Sequence, residues 1–406
     1  MKHVIIGAGA AGISAAKTIR QLQNNDEIVV ISTDDAIHSR CMLHKFISGD
    51  RNISELSFVP EGFFKDSNIR WISDTTVTGI DIDKKQVLFN GGAEAYDRLL
   101  IATGAQSVIP PIDGLRDTKN VFGLRDLPDA KVIREKAAQA NNIVIIGAGL
   151  VGLDAAYGLI EMGKKPVIVE MSESILPLNL DPRAASKYKA KFEEAGCVFY
   201  LGSKLTSVAR DTSENVTSIT LNNKEQLPCD LLIVAVGVRP AIEFLKNSGI
   251  TNDQGTIVNE YLATNVAGIY VAGDASGLSK NWPNAVEQGE VAAFNMCGIP
   301  TVYKDTFDLK NTVNFFGIIS LSIGQPMPST GDVEHIRESH NRYEKIILRD
   351  GVPAGVILQG DISHSGFWQY MIKNKINIAA IPKSIWKVSF ADSYSIGKDG
   401  EYKWIV

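Results

Sequence analysis

Val4-Ile5-Ile6-Gly7-Ala8-Gly9-Ala10-Ala11-Gly12 decides the fold. An apolar run of strand type breaks into Gly-x-Gly-x-x-Gly and continues as a helix, Ile13 to Leu22. The first glycine permits a tight turn, the second lets a pyrophosphate approach the backbone, and the third lets helix and strand pack closely. An anion then rests on unpaired N–H groups at the positive end of the helix. A second copy, Ile143-Val144-Ile145-Ile146-Gly147-Ala148-Gly149-Leu150-Val151-Gly152, follows about 140 residues later. Two such units imply two dinucleotides in one chain.

The 406 residues are enough for two or three domains. With 45% hydrophobic and 21% charged residues the composition is that of a globular protein. A net charge of −5 gives no reason to expect nucleic acid or an anionic membrane as partner. No apolar run approaches the ~18 residues of a membrane span. The apolar N-terminus reads as a strand and not as a signal peptide, so a cytoplasmic protein is expected. Cys41, Cys197, Cys229 and Cys297 form no C-x-x-C, and no zinc, iron–sulfur or other metal site is expected in this chain.

The first β-α-β spans residues 1–33. A ribose-binding acid should follow its second strand, Ile28-Val29-Val30-Ile31, but Ser32 and Thr33 stand there with Asp34 just after. Either Asp34 or Ser32 is a candidate for the ribose. Ile69–Ile72, Val77–Ile82 and Gln86–Phe89 alternate as a small antiparallel meander would. Tyr96–Ala105 reads as a buried strand ending in Ala102-Thr103-Gly104, and Pro110-Pro111 and Gly114 mark a crossover. A helix is expected over Ala130–Ala140. The second β-α-β ends in Glu170, where a carboxylate hydrogen-bonds the adenosine 2′-OH and repels a 2′-phosphate. With no Arg in Glu170–Ser174, NADH is expected over NADPH. A helix from Ala184 to Ala195, strands turning at Asn222-Asn223, and a buried strand from Asp230 through Gly237 to Pro240 follow. Thr264–Asp274 is a strand ending in Gly273-Asp274, ahead of a helix from about Ala285 to Cys297. Beyond Tyr303 short strands (Val313–Phe316, Lys345–Leu348, Ala354–Leu358) precede a helix near Phe367–Asn374.

Taken in order, five motifs (Gly7–Gly12, Ala102-Thr103-Gly104, Gly147–Gly152, the Asp230–Pro240 strand and Thr264–Asp274) resemble the FAD-dependent pyridine nucleotide–disulfide oxidoreductase superfamily over about residues 1–300. The resemblance implies an α/β fold with two Rossmann-like dinucleotide-binding domains and a C-terminal α+β interface domain. The FAD domain would be split, 1–112 and 241–305, with an NAD(H) domain inserted at 113–240 and the interface domain at 306–406. FAD would lie against Gly7, Gly9, Ala10, Ala11, Gly12, Ser32, Thr33, Asp34, Arg40, Lys45, Val77, Ala102, Thr103, Gly104, Gly273, Asp274 and Ala285. Gly147, Gly149, Leu150, Val151, Gly152, Glu170 and Gly237 would hold NADH. Asp274 would hydrogen-bond the ribityl or pyrophosphate region, and the helix beginning near Ala285 would point its positive end at the flavin.

Ser39-Arg40-Cys41-Met42-Leu43-His44-Lys45 separates the branches. The glutathione- and thioredoxin-reductase branches need two neighbouring cysteines, which are missing here. Coenzyme A-disulfide reductases, NADH peroxidases and water-forming NADH oxidases carry one cysteine where Cys41 stands. Cys41 would then need a lowered pKa, with Arg40, His44 and Lys45 as the cations that lower it. NADH:rubredoxin reductases, oxygenase-coupled ferredoxin reductases and the nitrite reductase flavin half carry segments that Ser39-Arg40-x-x-Leu43-His44-Lys45 matches in part. On that resemblance Lys45 would sit near flavin N5 and pair with a carboxylate of the second Rossmann helix, here Asp154. It implies NADH-dependent hydride transfer to flavin, then electron delivery to a small iron–sulfur carrier of rubredoxin or ferredoxin type. The alternatives are an oxidase, peroxidase or disulfide reductase working through Cys41 on a low-molecular-weight acceptor, and a flavin subunit of a larger electron-transfer complex. The branches include monomers and homodimers.

The last hundred residues add Asn314-Phe315-Phe316-Gly317 and Ser322-Ile323-Gly324, which resemble the interface domain of the rubredoxin- and nitrite-reductase branch. Lys373, Lys375, Lys383 and Lys387 occur with no acid between Ser363 and Ala391. They suit either a solvated face or the docking of an acidic carrier. Tyr370 reads as core packing beside Phe367 and Trp368, or as a tyrosine contributed across a dimer.

Overall fold

The computed structural model describes residues 1–246, 248–252, 255–256, 258–278, 281–304, 310–379, 381–392 and 394–404. The boundary expected at 305/306 lies outside them. The chain forms two compact units: residues 1–146, 154–164 and 205–308 make the first, and residues 147–153, 165–204 and 309–406 the second. The stretch 113–240 contributes to both.

The first unit is built on a five-stranded parallel sheet in the order Ile269–Val271, Arg98–Ile101, Lys2–Ile6, Glu27–Ile31, Arg70–Ile72. Successive side chains point to opposite faces, and both faces are covered, so the strands read as unbroken apolar runs. Ile5, Ile28, Val30 and Leu100 face a core shared with the helices Ala10–Leu22 and Trp282–Met296. Val4, Ile6, Val29, Ile31, Leu99 and Ile101 face the opposite core, which includes Val87, Val77, Ile80 and Phe89 of an antiparallel meander. That meander is Val77–Asp81, Gln86–Phe89 and Gly92–Ala95. The expected first member, Ile69–Ile72, instead adds Arg70–Ile72 to the parallel sheet beside Glu27–Ile31. Alternation of apolar residues marks a strand but not its partner.

Ile143–Ile146, Leu231–Val234 and Val121–Phe122 pair in parallel in the same unit. The long strand expected from Asp230 to Pro240 breaks at Gly237, whose φ is +120°. Val238–Pro240 then pairs antiparallel with Ala105–Ser107. The helix expected at Ala130–Ala140 starts earlier, at Leu127, because the Asp126 carboxylate accepts from Asp129 N and Pro128 suits the first turn.

In the second unit Val167–Val169 and Val198–Tyr200 pair in parallel, and the helix Pro182–Glu194 is capped by Asp181. A five-stranded antiparallel sheet runs in the order Lys310–Phe315, Ile318–Gly324, Val352–Gln359, Arg342–Arg349, Val333–Ser339, with the helix Ser365–Lys373 packed on it. The two parts are joined through buried polar groups. The Tyr188 hydroxyl meets Val313 O (3.2 Å), Ile318 O (2.9 Å) and Ser320 Oγ (2.9 Å), and Gln359 Nε2 donates to Ala184 O at 3.0 Å. Tyr343 donates to Asp181, which Lys345 also approaches at 3.3 Å. No helix among the described residues is long and apolar enough to cross a membrane.

Candidate functional site

A cavity of about 400 Å3 opens at the C-terminal ends of the first unit's parallel strands. Its wall includes Gly7, Gly9, Ala10, Ala11, Ser32, Thr33, Asp34, Arg40, Cys41, Val77, Ala102, Thr103, Gly104, Gly273, Asp274 and Ala285. Cys41 aside, these are the expected FAD-contacting residues, of which Gly12 and Lys45 are missing from the wall. Gly7 adopts φ +108°, and a Cβ there would stand 2.2 Å from Ala102 O. On Gly12 it would stand 1.9 Å from Gly7 O, so this glycine serves helix–strand packing from behind the wall. A Cβ on Gly9 would meet nothing within 4 Å, and no side chain caps the helix that begins at Ala10. The open space beside uncapped N–H groups fits a pyrophosphate.

The ribose candidates separate. Ser32 Oγ donates to Asp34 O (3.2 Å) and accepts from Trp71 Nε1 (3.0 Å), so its hydroxyl is largely committed to the fold. The Asp34 carboxylate lies 3.7 Å from Arg40 Nη2 at the wall. Asp274 forms a 2.6 Å ion pair with Arg125, and Arg125 Nε donates to Ala105 O at 2.9 Å. Arg40 Nη1 donates to Arg125 O at 3.0 Å, which brings two guanidinium groups to one side of the cavity. Burial and the Arg125 charge both lower the Arg40 pKa. Arg125 was not found from the sequence. The signal was there: Asp126-Leu127-Pro128-Asp129 is a helix start, and a cation just before it follows a strand, Val121–Phe122. Trp282 and Thr76 are further wall residues without a sequence signal.

In the second glycine motif, Gly147 has φ +103°, and nothing lies within 4 Å of a Cβ on Gly149. Leu150, Val151 and Gly152 begin the helix Leu150–Glu161. The Glu170 carboxylate accepts from Ala148 N (2.7 Å) and Ser172 N (2.8 Å). Two backbone donors fix its orientation and leave lone pairs for a ribose hydroxyl. Gly237, at the break before Val238, leaves open space where a side chain would stand. The glycine turn and Glu170 fit a second dinucleotide.

The segment from Cys41 to Lys45 departs from expectation twice. Lys45 does not meet Asp154. Its Nζ pairs with Asp50 Oδ2 at 2.8 Å and lies 5.3 Å from the centre of the Tyr157 ring. An acid five residues along the chain is within easy reach of a lysine on the short helix Leu43–Ser48. His44 faces Asp154 in its place, with Nδ1 3.7 Å from Oδ1. Burial pushes Asp154 up to about 7 and His44 down to about 4, although Asp154 keeps 31% of its side-chain surface open. The second departure is Cys41. It is open, but toward the cavity it lines, and its thiol pKa is raised. Enclosure by the protein is the main cause, Asp154 adds to it, and Arg125 opposes it. Of the cations expected to lower it, Arg40 is turned to Arg125 O and Asp34, His44 is pushed down to about 4, and Lys45 is turned to Asp50. Among the described residues no group of three or more His, Cys, Asp or Glu converges to hold a metal ion.

Residues 1–289 match the pyridine nucleotide-disulphide oxidoreductase family. The chain belongs to that family. It is an FAD-binding, NADH-using flavin oxidoreductase. Residues 310–376 match the rubredoxin NAD+ reductase C-terminal domain. The chain is 30% identical to the NADH-dependent phenylglyoxylate dehydrogenase subunit epsilon of Aromatoleum evansii, over 94% of this chain and 93% of that one. It is 30% identical to the rubredoxin-NAD(+) reductase of Ectopseudomonas oleovorans, over 74% of this chain and 81% of that one. Two other relatives are longer, and the chain spans 48% and 47% of their lengths. Among solved structures, the ferredoxin reductase for the CYP199A2 system of Rhodopseudomonas palustris superposes with a TM-score of 0.83 at 25% identity, over 93% of this chain and 95% of that one.

Proposed function

We propose that this oxidoreductase takes electrons from NADH and delivers them singly to a small iron–sulfur carrier of rubredoxin or ferredoxin type. The observation that carries this reading is the state of Cys41. It lines the cavity, yet enclosure and the Asp154 charge push its thiol pKa up, the opposite of what an electron-accepting thiolate needs. No second cysteine supports it: Cys197 and Cys229 are buried with thiols pushed up to about 12, and that of Cys297 is pushed up to about 11. The match to a rubredoxin reductase C-terminal domain supports the same reading.

FAD, when bound, accepts a hydride from NADH and returns its electrons one at a time. The protein's part is positioning. The Gly7–Gly12 turn and the uncapped helix take the FAD pyrophosphate, Asp34 the ribose and Asp274 the chain that leads to the ring. Glu170 selects NADH. The division into an FAD domain (1–112 and 241–305), an NADH domain (113–240) and a third domain (306–406) belongs to this reading.

The test is anaerobic reduction of a purified rubredoxin or [2Fe–2S] ferredoxin by NADH and catalytic enzyme. Reduction of the carrier that survives Cys41→Ser is expected. A Cys41→Ser enzyme that loses turnover, with peroxide or a disulfide as the better acceptor, contradicts it. A second reading, a flavin subunit of a larger complex, is favoured by the phenylglyoxylate dehydrogenase subunit that aligns over nearly its whole length. Co-elution of an iron–sulfur partner on a sizing column would decide for it.

A further inference from the structure

A hydride carries two electrons and one proton, whereas a one-electron carrier removes electrons only. Each turnover on the reading above is therefore NADH plus two oxidised carriers going to NAD+, two reduced carriers and one H+. The proton must leave the site where the hydride arrived. We propose that His44 and Asp154 compensate the charge of the reduced site: Asp154 takes a second proton, from solvent, when the two electrons arrive, shares it with His44 Nδ1, and returns it to solvent as the electrons depart, so the net yield stays at one H+ per NADH. The inference rests on the electron-carrier reading for its stoichiometry.

The geometry supports the assignment. His44 Nδ1 is buried without a hydrogen-bond partner and faces Asp154 Oδ1 at 3.7 Å. That gap is too long for a hydrogen bond and closes by about 1 Å when a proton is shared. The backbone sets the pair in place. A Cβ on Gly158, in the helix that carries Asp154, would stand 2.7 Å from His44 O, so only glycine allows this approach. Cys41, three residues before His44, lines the cavity and feels the Asp154 charge. This puts the pair within electrostatic range of whatever charge the cavity holds.

The surrounding charges leave the pair free to exchange a proton. On the His44 side, Lys45 and Arg51 lower its proton affinity and Asp50 raises it. Arg134, from the helix Leu127–Gln139, turns its guanidinium to Phe46 O and toward Gly49. Arg125 and Asp274 act on Cys41 from the cavity side, and Tyr157 lies under Lys45. Among the described residues no lysine or arginine is bonded to Asp154, and Lys45 is held by Asp50. A carboxyl that titrates near neutrality can take a proton or give one up with little cost, and the uncharged imidazole beside it can accept a hydrogen bond from the protonated form.

The sign follows from electrostatics. Electrons added to the cavity raise the proton affinity of Asp154, and their departure lowers it. Asp154 is protonated in both redox states well below pH 7. Above about pH 7 reduction brings a proton with it.

The test is the midpoint potential of the bound flavin from about pH 5.5 to about pH 9, measured by dye equilibration on the holoenzyme. Wild type and Asp154→Asn are expected to coincide below about pH 6 and to diverge above about pH 7, with wild type at the lower potential. Parallel curves across the range overturn the proposal. If Asp154→Asn fails to retain flavin, His44→Gln takes its place and must shift the wild-type bend along the pH axis; an unmoved bend overturns the proposal equally. No carrier is present, so divergent curves in an enzyme that cannot reduce a carrier would reject the electron-carrier reading while leaving the proton-binding pair standing.

Discussion

On the proposed reading Glu170 decides nicotinamide choice, through one carboxylate whose two oxygens are already oriented by Ala148 N and Ser172 N. A hydrogen bond from a ribose hydroxyl to that charge is worth about 1.5–3 kcal/mol, or roughly a tenfold or greater change in affinity. Glu170→Ala should raise KM for NADH about tenfold, leave kcat nearly unchanged and narrow the gap to NADPH. Steady-state kinetics with both nucleotides measure this, and an unchanged NADH/NADPH ratio would refute it. Glu170 was legible because a strand end after a glycine motif is a fixed address. Lys45 was not. A side chain with four rotatable bonds chooses its partner from whatever is near. Asp50 is five residues away, whereas Asp154 is one methylene shorter than the glutamate a long pair would need. The same limit hid His44, whose environment exists only once two helices meet at Gly158.

At the scale of elements, close backbone approach organises the first unit. The helices Ala10–Leu22 and Trp282–Met296 touch where a Cβ on Gly289 would stand 2.2 Å from Ala11 O. Gly289→Ala should force them apart, cost about 1–3 kcal/mol and weaken flavin retention, because Ala11 and Ala285 both line the cavity. Thermal unfolding and the flavin-to-protein absorbance ratio report both effects, and a variant with normal stability and flavin content would contradict this packing. In the second unit, Tyr188→Phe strands three polar groups that its hydroxyl now joins: Val313 O, Ile318 O and Ser320 Oγ. Loss of such a buried hub should cost about 1–3 kcal/mol, seen as a lower Tm with the flavin spectrum unaltered. An unchanged Tm would show that the hydroxyl is replaceable by water. Both Rossmann-type starts were readable in the sequence because glycine spacing and apolar runs are local signals. The pairing of Arg70–Ile72 with Glu27–Ile31 was not, since a three-residue strand carries no record of its neighbour. The edge strand Val333–Ser339 was missed for a related reason: it is mostly exposed and lacks an apolar face.

For the molecule as a whole, family and cofactors were legible because five motifs occur in a fixed order, and residues 1–289 and 310–376 match in that sense. The acceptor was less legible, because docking surfaces have no fixed spacing. The lysines near the C-terminus illustrate this: Lys383 is paired with Asp392, and Tyr370 packs edge-on against Phe390 at 5.5 Å. What distinguishes a carrier reductase from a thiol-dependent enzyme is how many electrons the site stores. The account makes flavin the sole redox centre and Cys41 a protonated bystander. The decisive measurement is an anaerobic dithionite titration of the holoenzyme, counting electrons per FAD. Full bleaching at two electrons, with the same course in Cys41→Ser, is the predicted result. Four electrons, with a long-wavelength thiolate-to-flavin band midway that vanishes in Cys41→Ser, would contradict it.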